Sequence, residues 1–400
     1  MGPSSRFRGF PRRVNRRLAA EWCPAPHYPD APARVRTATG QGGHENLRRT
    51  AARGRDARLS RSDSPLPKVE WREGLAEEYA WLFERTRGSL PCIELELQLP
   101  WIDAIRKLKA LRGAAILAHN YQSPEIFHGI ADITGDSLAL ADAAARCESD
   151  TIVVCGVAFM AETVKLLAPS KRVLAPAPDA GCSLAASITP EDVRGLREAH
   201  PGVPVVAYIN TTAAVKAEVD ICCTSANAAE VVASLGVPRV IFIPDQHLAA
   251  QVAGHVDAEL IVWPGACEVH ERFSASDVRA LRFDAGIRVI AHPECRDEVC
   301  ELADFVGSTA AMGRWIEAHA PERVALITEC SMGDNLRASF PKVEFVRSCQ
   351  LCPHMKLVTL SSIHACLALG THEVDIPIEI ARRARRPIER MLAIGRRERV

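Results

Sequence analysis

The sequence predicts an α/β protein of three homologous parallel α/β subdomains, arranged with pseudo-threefold symmetry around a common centre. Two observations predict this class. After Gly113, short apolar runs rich in β-branched residues alternate with Ala- and Leu-rich helical segments, which is typical of parallel α/β units. Residues of matching chemistry also recur at the ends of these runs at nearly constant intervals, and such a period indicates an internal repeat.

Nine apolar runs are the predicted strands, three in each subdomain. They are AAILAHNY, TIVVCGVA, RVLAPAP, VPVVAYIN, RVIFIP, ELIVWPG, IRVIAHPE, RVALITE and VEFVRS. Each subdomain is therefore expected to follow the order strand, helix, strand, helix, strand.

Three sets of residues mark the repeat. Cys182, Cys267 and Cys352 follow strand runs and are separated by 85 and again by 85 residues. The other two sets are His119, Tyr208 and His292, at intervals of 89 and 84, and Ser137, Ser225 and Thr309, at intervals of 88 and 84. Three marks in the same order, each present three times, indicate three copies of one unit.

The predicted organisation has six parts. Residues 1–64 hold 14 Arg, no Lys and five acidic residues without an apolar period, so we predict a disordered extension there. A transit peptide, or a basic arm that touches nucleic acid or anionic lipid, is the alternative for this segment. The remaining parts are an N-terminal helical segment (65–112), α/β subdomains at 113–196, 197–280 and 281–360, and a C-terminal helical tail (361–400).

The composition excludes several classes of protein. The chain has 400 residues, of which 48% are hydrophobic, so a mostly disordered or fibrous protein is excluded. Lys plus Arg equals Asp plus Glu at 49 each, which argues against a whole-chain nucleic-acid binder. No apolar run approaches the ~20 residues that a membrane span needs. We therefore expect a cytoplasmic protein without membrane or nucleic-acid partners.

The three repeated cysteines predict a metal site. Ligands in parallel α/β units collect at the carboxyl ends of strands, so three units around one axis would bring Cys182, Cys267 and Cys352 together. Structural zinc sites usually take four ligands in close pairs, whereas iron-sulfur clusters accept cysteines that are far apart in sequence. With three ligands, a [4Fe-4S] cluster would keep one iron without a protein ligand, and that iron could act as a Lewis acid.

Other cysteines leave alternatives open. Cys349 forms a CxxC with Cys352 and could replace it as a ligand or pair with it, although we favour Cys352. Cys222 and Cys223 could also form a redox-active pair. Because the chain is expected to lie in a reducing compartment, ligation is favoured over disulfides.

Polar residues at the strand ends predict a shared polar cavity. His119, Tyr121, Tyr208, Asn210, His292 and Glu294 could serve there as general acids and bases. Ser137, Ser225 and Thr309 could bind anions near helix N-termini, and an alternative interpretation makes them ordinary N-caps. Such a cavity suits a small substrate that carries several carboxylates or a phosphate.

Ten further motifs occur over about residues 100–395, and they are AHNYQ, GDSL, VAFMAETVKLL, PAPDAGCSLA, AYINTTAAVKA, CTSANA, WPGACEVHERF, AHPEC, VGST and CPHMK. Together they resemble the quinolinate synthase family. The resemblance implies three subdomains around one [4Fe-4S] cluster and a condensation of iminoaspartate with dihydroxyacetone phosphate to quinolinate, phosphate and water. It also implies L-aspartate oxidase, the source of iminoaspartate, as a partner.

The resemblance implies a role for each site residue. The cluster ligands would be Cys182, Cys267 and Cys352. The substrate would contact His119, Ser137, Tyr208, Ile209, Asn210, Ser225, His292, Pro293, Glu294 and Thr309. The predicted catalytic residues are Tyr121, Glu294 and His119: Tyr121 and Glu294 would move protons, while His119 and His292 would orient the substrate.

Two other interpretations compete with this one. Another three-cysteine [4Fe-4S] enzyme of threefold α/β architecture, of the diphthamide-synthesis or isoprenoid-diphosphate-reductase type, would use its cluster for electron or radical chemistry. A metal-binding regulator would need a folded basic domain that reads bases. The basic excess instead lies in residues 1–64, outside the acidic body.

Overall fold

The structure is a computed structural model that describes residues 67–397. In this part of the chain, twelve strands form three four-stranded sheets in which every strand pair is parallel. The first sheet contains β1 (Ala114–His119), β2 (Ile133–Gly135), β3 (Thr151–Cys155) and β4 (Arg172–Leu174). The second contains β5 (Val205–Tyr208), β6 (Ile221–Cys223), β7 (Arg239–Ile243) and β8 (Glu259–Val262). The third contains β9 (Ile287–Ala291), β10 (Phe305–Val306), β11 (Arg323–Ile327) and β12 (Glu344–Val346).

The three sheets share one strand order. It is β2-β1-β3-β4 in the first sheet, β6-β5-β7-β8 in the second and β10-β9-β11-β12 in the third. The same arrangement of strands and helices therefore occurs three times. The predicted class of three homologous parallel α/β subdomains is confirmed.

Each sheet contains one strand that the sequence analysis missed. All nine predicted strands form, but β2, β6 and β10 are additional edge strands of three, three and two residues. They are too short to show as an apolar run of four to eight residues. Each subdomain consequently contains four strands rather than the predicted three, with a helix between successive strands.

Helices connect the strands and flank the sheets. Before the first sheet lie α1 (Leu75–Glu78), α2 (Ala80–Arg85) and α3 (Cys92–Arg112). The first subdomain contains α4 (Pro124–Gly129), α5 (Ser137–Arg146) and α6 (Ala158–Leu167), followed by α7 (Ser183–Ala186) and α8 (Pro190–Ala199). The second contains α9 (Ala213–Lys216), α10 (Ala228–Ala233) and α11 (Gln246–Ala253), followed by α12 (Ala275–Arg282). The third contains α13 (Asp297–Cys300), α14 (Thr309–His319) and α15 (Cys330–Leu336), and α16 (Leu360–Leu369) and α17 (Ile378–Arg397) end the described chain.

The inner strands lie in the core. Every residue of β1 and β5 is buried, as expected for parallel strands that are covered on both faces. Polar side chains are therefore placed where these strands end. In α3, Ile102, Ile105 and Leu108 are buried, whereas Leu111 is 61% exposed.

The predicted domain limits remain predictions. The strands of the three sheets span 114–174, 205–262 and 287–346, inside the predicted subdomain ranges. The predicted disordered extension at 1–64 lies outside the described residues. Among residues 67–397, no helix is long and apolar enough to cross a membrane.

Candidate active site and metal centre

One cavity lies at the carboxyl ends of the inner strands of all three sheets. His119 and Tyr208 end β1 and β5, and His292 directly follows β9. The predicted site residues that line the cavity are His119, Tyr121, Ser137, Cys182, Tyr208, Asn210, Ser225, Cys267, His292, Glu294, Thr309 and Cys352. Ile209 and Pro293 are buried but do not line it.

Each of the three cysteines at this cavity begins a helical turn. The carbonyl oxygens of Cys182, Cys267 and Cys352 accept hydrogen bonds from the backbone N–H groups four residues later, at 2.9, 2.9 and 3.3 Å. Backbone N–H groups two and three residues after each cysteine lower the pKa of its thiol. The three sulfur atoms thus have matching environments, as the repeat predicts, and such N–H groups favour a negatively charged sulfur.

A helix cap fixes the end of each of these turns. Seven residues after each cysteine, Thr189, Ser274 and Thr359 form capping boxes at the starts of α8, α12 and α16. The hydroxyl and the third-residue side chain satisfy backbone N–H groups reciprocally in this motif. Each cysteine is therefore held between a sheet and an anchored helix.

The electrostatics of the cavity fit a metal centre. Burial raises the pKa of all three cysteine thiols, that of Cys182 to about 12. The carboxylate of Glu294 raises the pKa of Cys182 and Cys267 further. A bound metal cation would offset this concentration of sulfur and carboxylate donors and would ionise the thiols.

Three potential ligand atoms are closely grouped on one side of the cavity. One ligand atom each from Cys267, His270 and Glu294 lie within 4.8 Å of one another. His270 Nδ1 is 3.3 Å from the sulfur of Cys267 and 2.9 Å from Oε2 of Glu294. These residues could hold a metal, and His270 was not predicted.

Glu294 is the buried acceptor at the centre of a hydrogen-bond network. Tyr208 donates its hydroxyl to Oε1 at 2.5 Å, and Asn210 donates its amide to the same oxygen at 3.4 Å. Burial opposes the charge of Glu294, but the neighbouring His270 and the hydrogen bonds from His270 and Tyr208 outweigh that effect and lower the pKa of Glu294 below the ordinary value. Glu294 is thus an ionised carboxylate, able to accept a proton.

The two histidines at strand ends share one geometry. The backbone N–H of Tyr121 donates to Nδ1 of His119 at 3.2 Å, and that of Glu294 donates to Nδ1 of His292 at 3.4 Å. Burial lowers the pKa of His119 to about 4 and that of His292 to about 3, so both rings are neutral at pH 7. Because Nδ1 accepts, the proton of each ring resides on Nε2, which becomes a hydrogen-bond donor.

Tyr121 lies in a loop that the third subdomain holds on both sides. The Asn335 side chain donates to the carbonyl oxygens of Asn120 and Gln122 at 3.0 and 2.7 Å. Lys356 donates to the carbonyl of Tyr121 itself at 2.9 Å. Three consecutive carbonyl oxygens thus accept hydrogen bonds from side chains of the third subdomain, and these bonds fix the position of Tyr121. Burial raises the pKa of Tyr121 well above its usual range, so its hydroxyl stays protonated.

The hydroxyl residues at helix starts are not the caps of their helices. Asp136 caps α5 and Ser308 caps α14, so Ser137 and Thr309 are first helical residues whose side chains line the cavity. The Thr309 hydroxyl accepts a hydrogen bond from the Asn120 side chain at 2.9 Å. The interpretation of these two residues as ordinary N-caps is therefore wrong.

Comparison with known proteins identifies the family. The family model described as "Quinolinate synthetase A protein" matches residues 103–393. The chain belongs to the quinolinate synthase family. It is 57% identical to quinolinate synthase 2 of Mesorhizobium japonicum over 79% of this chain and 98% of that protein. It is 59% identical to the quinolinate synthase of Xylella fastidiosa over 73% of this chain and 87% of the relative. It is 55% identical to the quinolinate synthase of Agrobacterium fabrum over 82% of this chain and 96% of that protein.

Family membership makes the chain an enzyme of NAD biosynthesis and confirms the predicted family. It does not favour the alternative of a diphthamide-synthesis-like or isoprenoid-diphosphate-reductase-like enzyme.

Several cavity residues of this quinolinate synthase family member were missed by the sequence analysis. His270 lies three residues after Cys267, where the other repeats have Ala185 and Met355, so no recurrence signals it. Glu329 lines the cavity, and Thr328 contacts Tyr121 and His270 beside it. Both end the predicted strand run RVALITE, and the polar end of that run was the available signal. Glu268 also lines the cavity, where its Oε1 lies 2.9 Å from Nε2 of His354.

A disulfide lies within residues 67–397, contrary to the expectation that ligation would be favoured. Cys330, the first residue of α15, is bonded to Cys349, with 5.0 Å between their Cα atoms. Cys352 remains a free thiol at the cavity. Cys222 and Cys223 are also free, because adjacent residues of the strand β6 point to opposite faces.

The disulfide predicts that Cys349 is dispensable for metal binding. Cys349→Ser should retain the full metal content of the unmodified protein, because Cys352 lines the cavity and Cys349 does not. Cys352→Ser is the matched variant and should lose it. Iron analysis of both purified variants checks this, and equal loss of iron in the two would contradict the assignment of Cys352.

Proposed function

We propose that this chain is a quinolinate synthase that condenses iminoaspartate with dihydroxyacetone phosphate to give quinolinate, phosphate and water. It would use one [4Fe-4S] cluster held by Cys182, Cys267 and Cys352. The observation that carries the proposal is that these cysteines, in matching turns of three repeats, line one cavity together with Glu294 and Tyr121.

The ligand set supports the choice of cluster. The three cysteines are far apart in sequence. Iron-sulfur clusters accept ligands with such spacing, whereas structural zinc sites usually take cysteines in close pairs. When bound, the cluster would supply an iron without a protein ligand, which acts as a Lewis acid toward a substrate oxygen or nitrogen.

The residues around the cysteines suit anionic substrates. Iminoaspartate carries two carboxylates, and the triose carries a phosphate. The Nε2–H groups of the neutral His119 and His292 would donate hydrogen bonds to these anions without the cost of charging a buried ring. Ser137 and Thr309, at the starts of α5 and α14, would add hydroxyl donors at helix N-termini.

Glu294 and Tyr121 supply the proton chemistry of the proposal. The condensation requires loss of phosphate, tautomerisation, formation of a ring imine and loss of water, and these steps are mostly proton transfers. The ionised Glu294 would accept a proton from a substrate carbon, and the protonated hydroxyl of Tyr121 would donate one. Tyr208 holds the Glu294 carboxylate through its 2.5 Å hydrogen bond.

The proposal includes a supplier of the unstable substrate. Iminoaspartate is an imine that water hydrolyses, so an L-aspartate oxidase that forms it nearby would be the natural partner. We place this reaction in the cytoplasm, without a membrane or nucleic-acid partner.

Quinolinate formation tests the proposal. The protein should be purified without oxygen, its iron and sulfide measured, and both substrates added. We expect quinolinate and phosphate in equal amounts, and neither when dihydroxyacetone phosphate is omitted. A protein that holds a full cluster and forms no quinolinate would contradict the proposed activity.

Replacing His292 should weaken substrate binding more than it slows turnover. His292→Ala removes a neutral donor at the cavity but leaves Glu294 in place, so KM should rise more than kcat falls. The pKa of His292 is about 3, so its ring is neutral throughout the range from pH 6 to pH 8. The ratio of the KM of the variant to that of the unmodified enzyme should therefore be constant over this range. Steady-state kinetics on variants with a confirmed full cluster measures both constants, and an unchanged KM with a reduced kcat would refute this role.

A further inference from the structure

Residues beside the cysteines join the first cysteine turn to the second. The backbone N–H of Glu268 donates to Oγ of Ser183 at 3.1 Å, and this hydroxyl is 3.5 Å from the carbonyl oxygen of Ala266. Ser183 directly follows Cys182, and Glu268 directly follows Cys267. Two turns that belong to different subdomains are therefore connected by hydrogen bonds.

A pair of side chains joins the second turn to the third. Oε1 of Glu268 lies 2.9 Å from Nε2 of His354, which is two residues after Cys352. A carboxylate only accepts, so Nε2 of His354 donates this hydrogen bond. The other oxygen of Glu268, Oε2, is 3.6 Å from the guanidinium of Arg272, which follows in the same segment. The Glu268 side chain thus connects its own turn to that of Cys352.

The ring of His354 also lies next to the first turn. A β-carbon on Gly181 would be 3.7 Å from Cε1 and Nδ1 of this ring, and Gly181 directly precedes Cys182. The third turn therefore lies against the first. With the two hydrogen-bonded links, the three cysteine turns are connected in a closed ring.

Glu268 and His354 lie where the cavity meets the solvent. Their side chains are 35% and 31% exposed. The side chains of His292 and Glu294, which line the same cavity, are only 5% exposed. The Glu268–His354 pair is consequently on the outer side of the site, and it is not part of the buried network around Glu294.

Packing alone does not require a histidine at position 354. The residues two positions after the other cysteines are Leu184 and Val269, which are 0% and 3% exposed. An apolar, buried residue therefore suits this position of the turn. His354 is polar and partly exposed, and its partner Glu268 belongs to another subdomain. This placement favours a role in joining the turns.

We propose that Ser183, Glu268 and His354 form a clamp that joins the three cysteine turns and retains the iron-sulfur cluster. The inference rests on the proposed function, because it assumes a cluster held by the three cysteines. Each cysteine belongs to a different subdomain, so loss of the cluster requires their turns to open. Links between the turns oppose this opening, and the clamp should therefore slow the release of iron.

The rate of iron release tests the clamp. Cluster-loaded protein is mixed with a ferrous-iron chelator without oxygen, and the coloured iron complex is followed over time. Glu268→Ala removes the pair with His354, and we expect release to be about two- to fivefold faster, as for a partly exposed ion pair. Ser183→Ala combined with Glu268→Ala breaks two links and should accelerate release about 10-fold.

A conservative variant separates the link from the presence of a side chain. Glu268→Gln keeps an oxygen that can accept the hydrogen bond from His354, so iron should be released at nearly the unmodified rate. In the Glu268→Ala background, His354→Ala should accelerate release less than it does in the unmodified protein, because the shared hydrogen bond is already lost.

His247→Ala is the matched control. Nε2 of His247 is 2.6 Å from Oε1 of Glu271, so this pair has the same chemistry as Glu268 and His354. It attaches the segment after Cys267 to α11 rather than to another cysteine turn, and neither residue lines the cavity. His247→Ala should therefore release iron at the unmodified rate.

Three results would overturn the clamp. They are an unmodified rate of iron release in Glu268→Ala, equal acceleration in Glu268→Gln and Glu268→Ala, and an equal acceleration in His247→Ala. None of these measurements depends on turnover. If the loaded protein forms no quinolinate, the proposed activity fails, while the rates of iron release still decide whether the clamp retains the cluster.

Discussion

Replacing Cys182, Cys267 or Cys352 by alanine should abolish the broad visible absorption of an iron-sulfur cluster and all quinolinate formation. The three sulfur atoms occupy matching turns around one cavity, and no other thiol of residues 67–397 lines that cavity to substitute for a missing one. We expect about four irons per chain in the unmodified protein and near-complete loss of iron in each variant. Iron and sulfide analysis, together with the visible spectrum, measures this.

Two other cysteines provide the control. Cys155 in β3 and Cys366 in α16 are fully buried and do not line the cavity. Cys155→Ala and Cys366→Ala should retain the cluster, although removal of a buried side chain can cost some stability. A full cluster in Cys267→Ala, or its loss in Cys155→Ala, would refute the ligand assignment.

Glu294→Gln should lower turnover by a factor of ~10² to 10⁴ while substrate still binds. Glutamine keeps the shape of the side chain and can hydrogen-bond to Tyr208, but it cannot accept the proton that the carboxylate accepts. Single-turnover kinetics on cluster-loaded protein measures the loss of turnover. The affinity of the variant for quinolinate, if unchanged, shows that the cavity is intact.

The control for Glu294→Gln lies on the neighbouring helix. Glu298, in α13, is exposed and does not line the cavity, so Glu298→Gln should turn over normally. Near-normal turnover in Glu294→Gln would mean that another group moves the proton, and Tyr121 would then be the first residue to test.

Recurrence decided which parts of the site could be predicted from the sequence. Cys182, Cys267 and Cys352 were found because the fold repeats and each copy places a cysteine in the same turn. The capping residues seven positions later recur in the same way. Residues that occur in one repeat only, such as His270 and Thr328, gave no such signal, because their partners are brought to them by the packing of different subdomains.

Tertiary contacts also explain the other differences. The strands β2, β6 and β10 are too short to be recognised alone and form by pairing with an inner strand. The Cys330–Cys349 disulfide depends on α15 and the segment before Cys352 coming together across 19 residues. Neither feature can be derived from periodicity or composition.

The central claim is a [4Fe-4S] cluster with three cysteine ligands and one iron open to the substrate. Mössbauer spectroscopy of protein enriched in ⁵⁷Fe, before and after addition of quinolinate, tests it most directly. We expect a [4Fe-4S] spectrum in which one iron of the four changes its parameters when quinolinate binds. A spectrum of isolated iron ions or of a [2Fe-2S] centre, or four irons that do not respond to bound quinolinate, would contradict it.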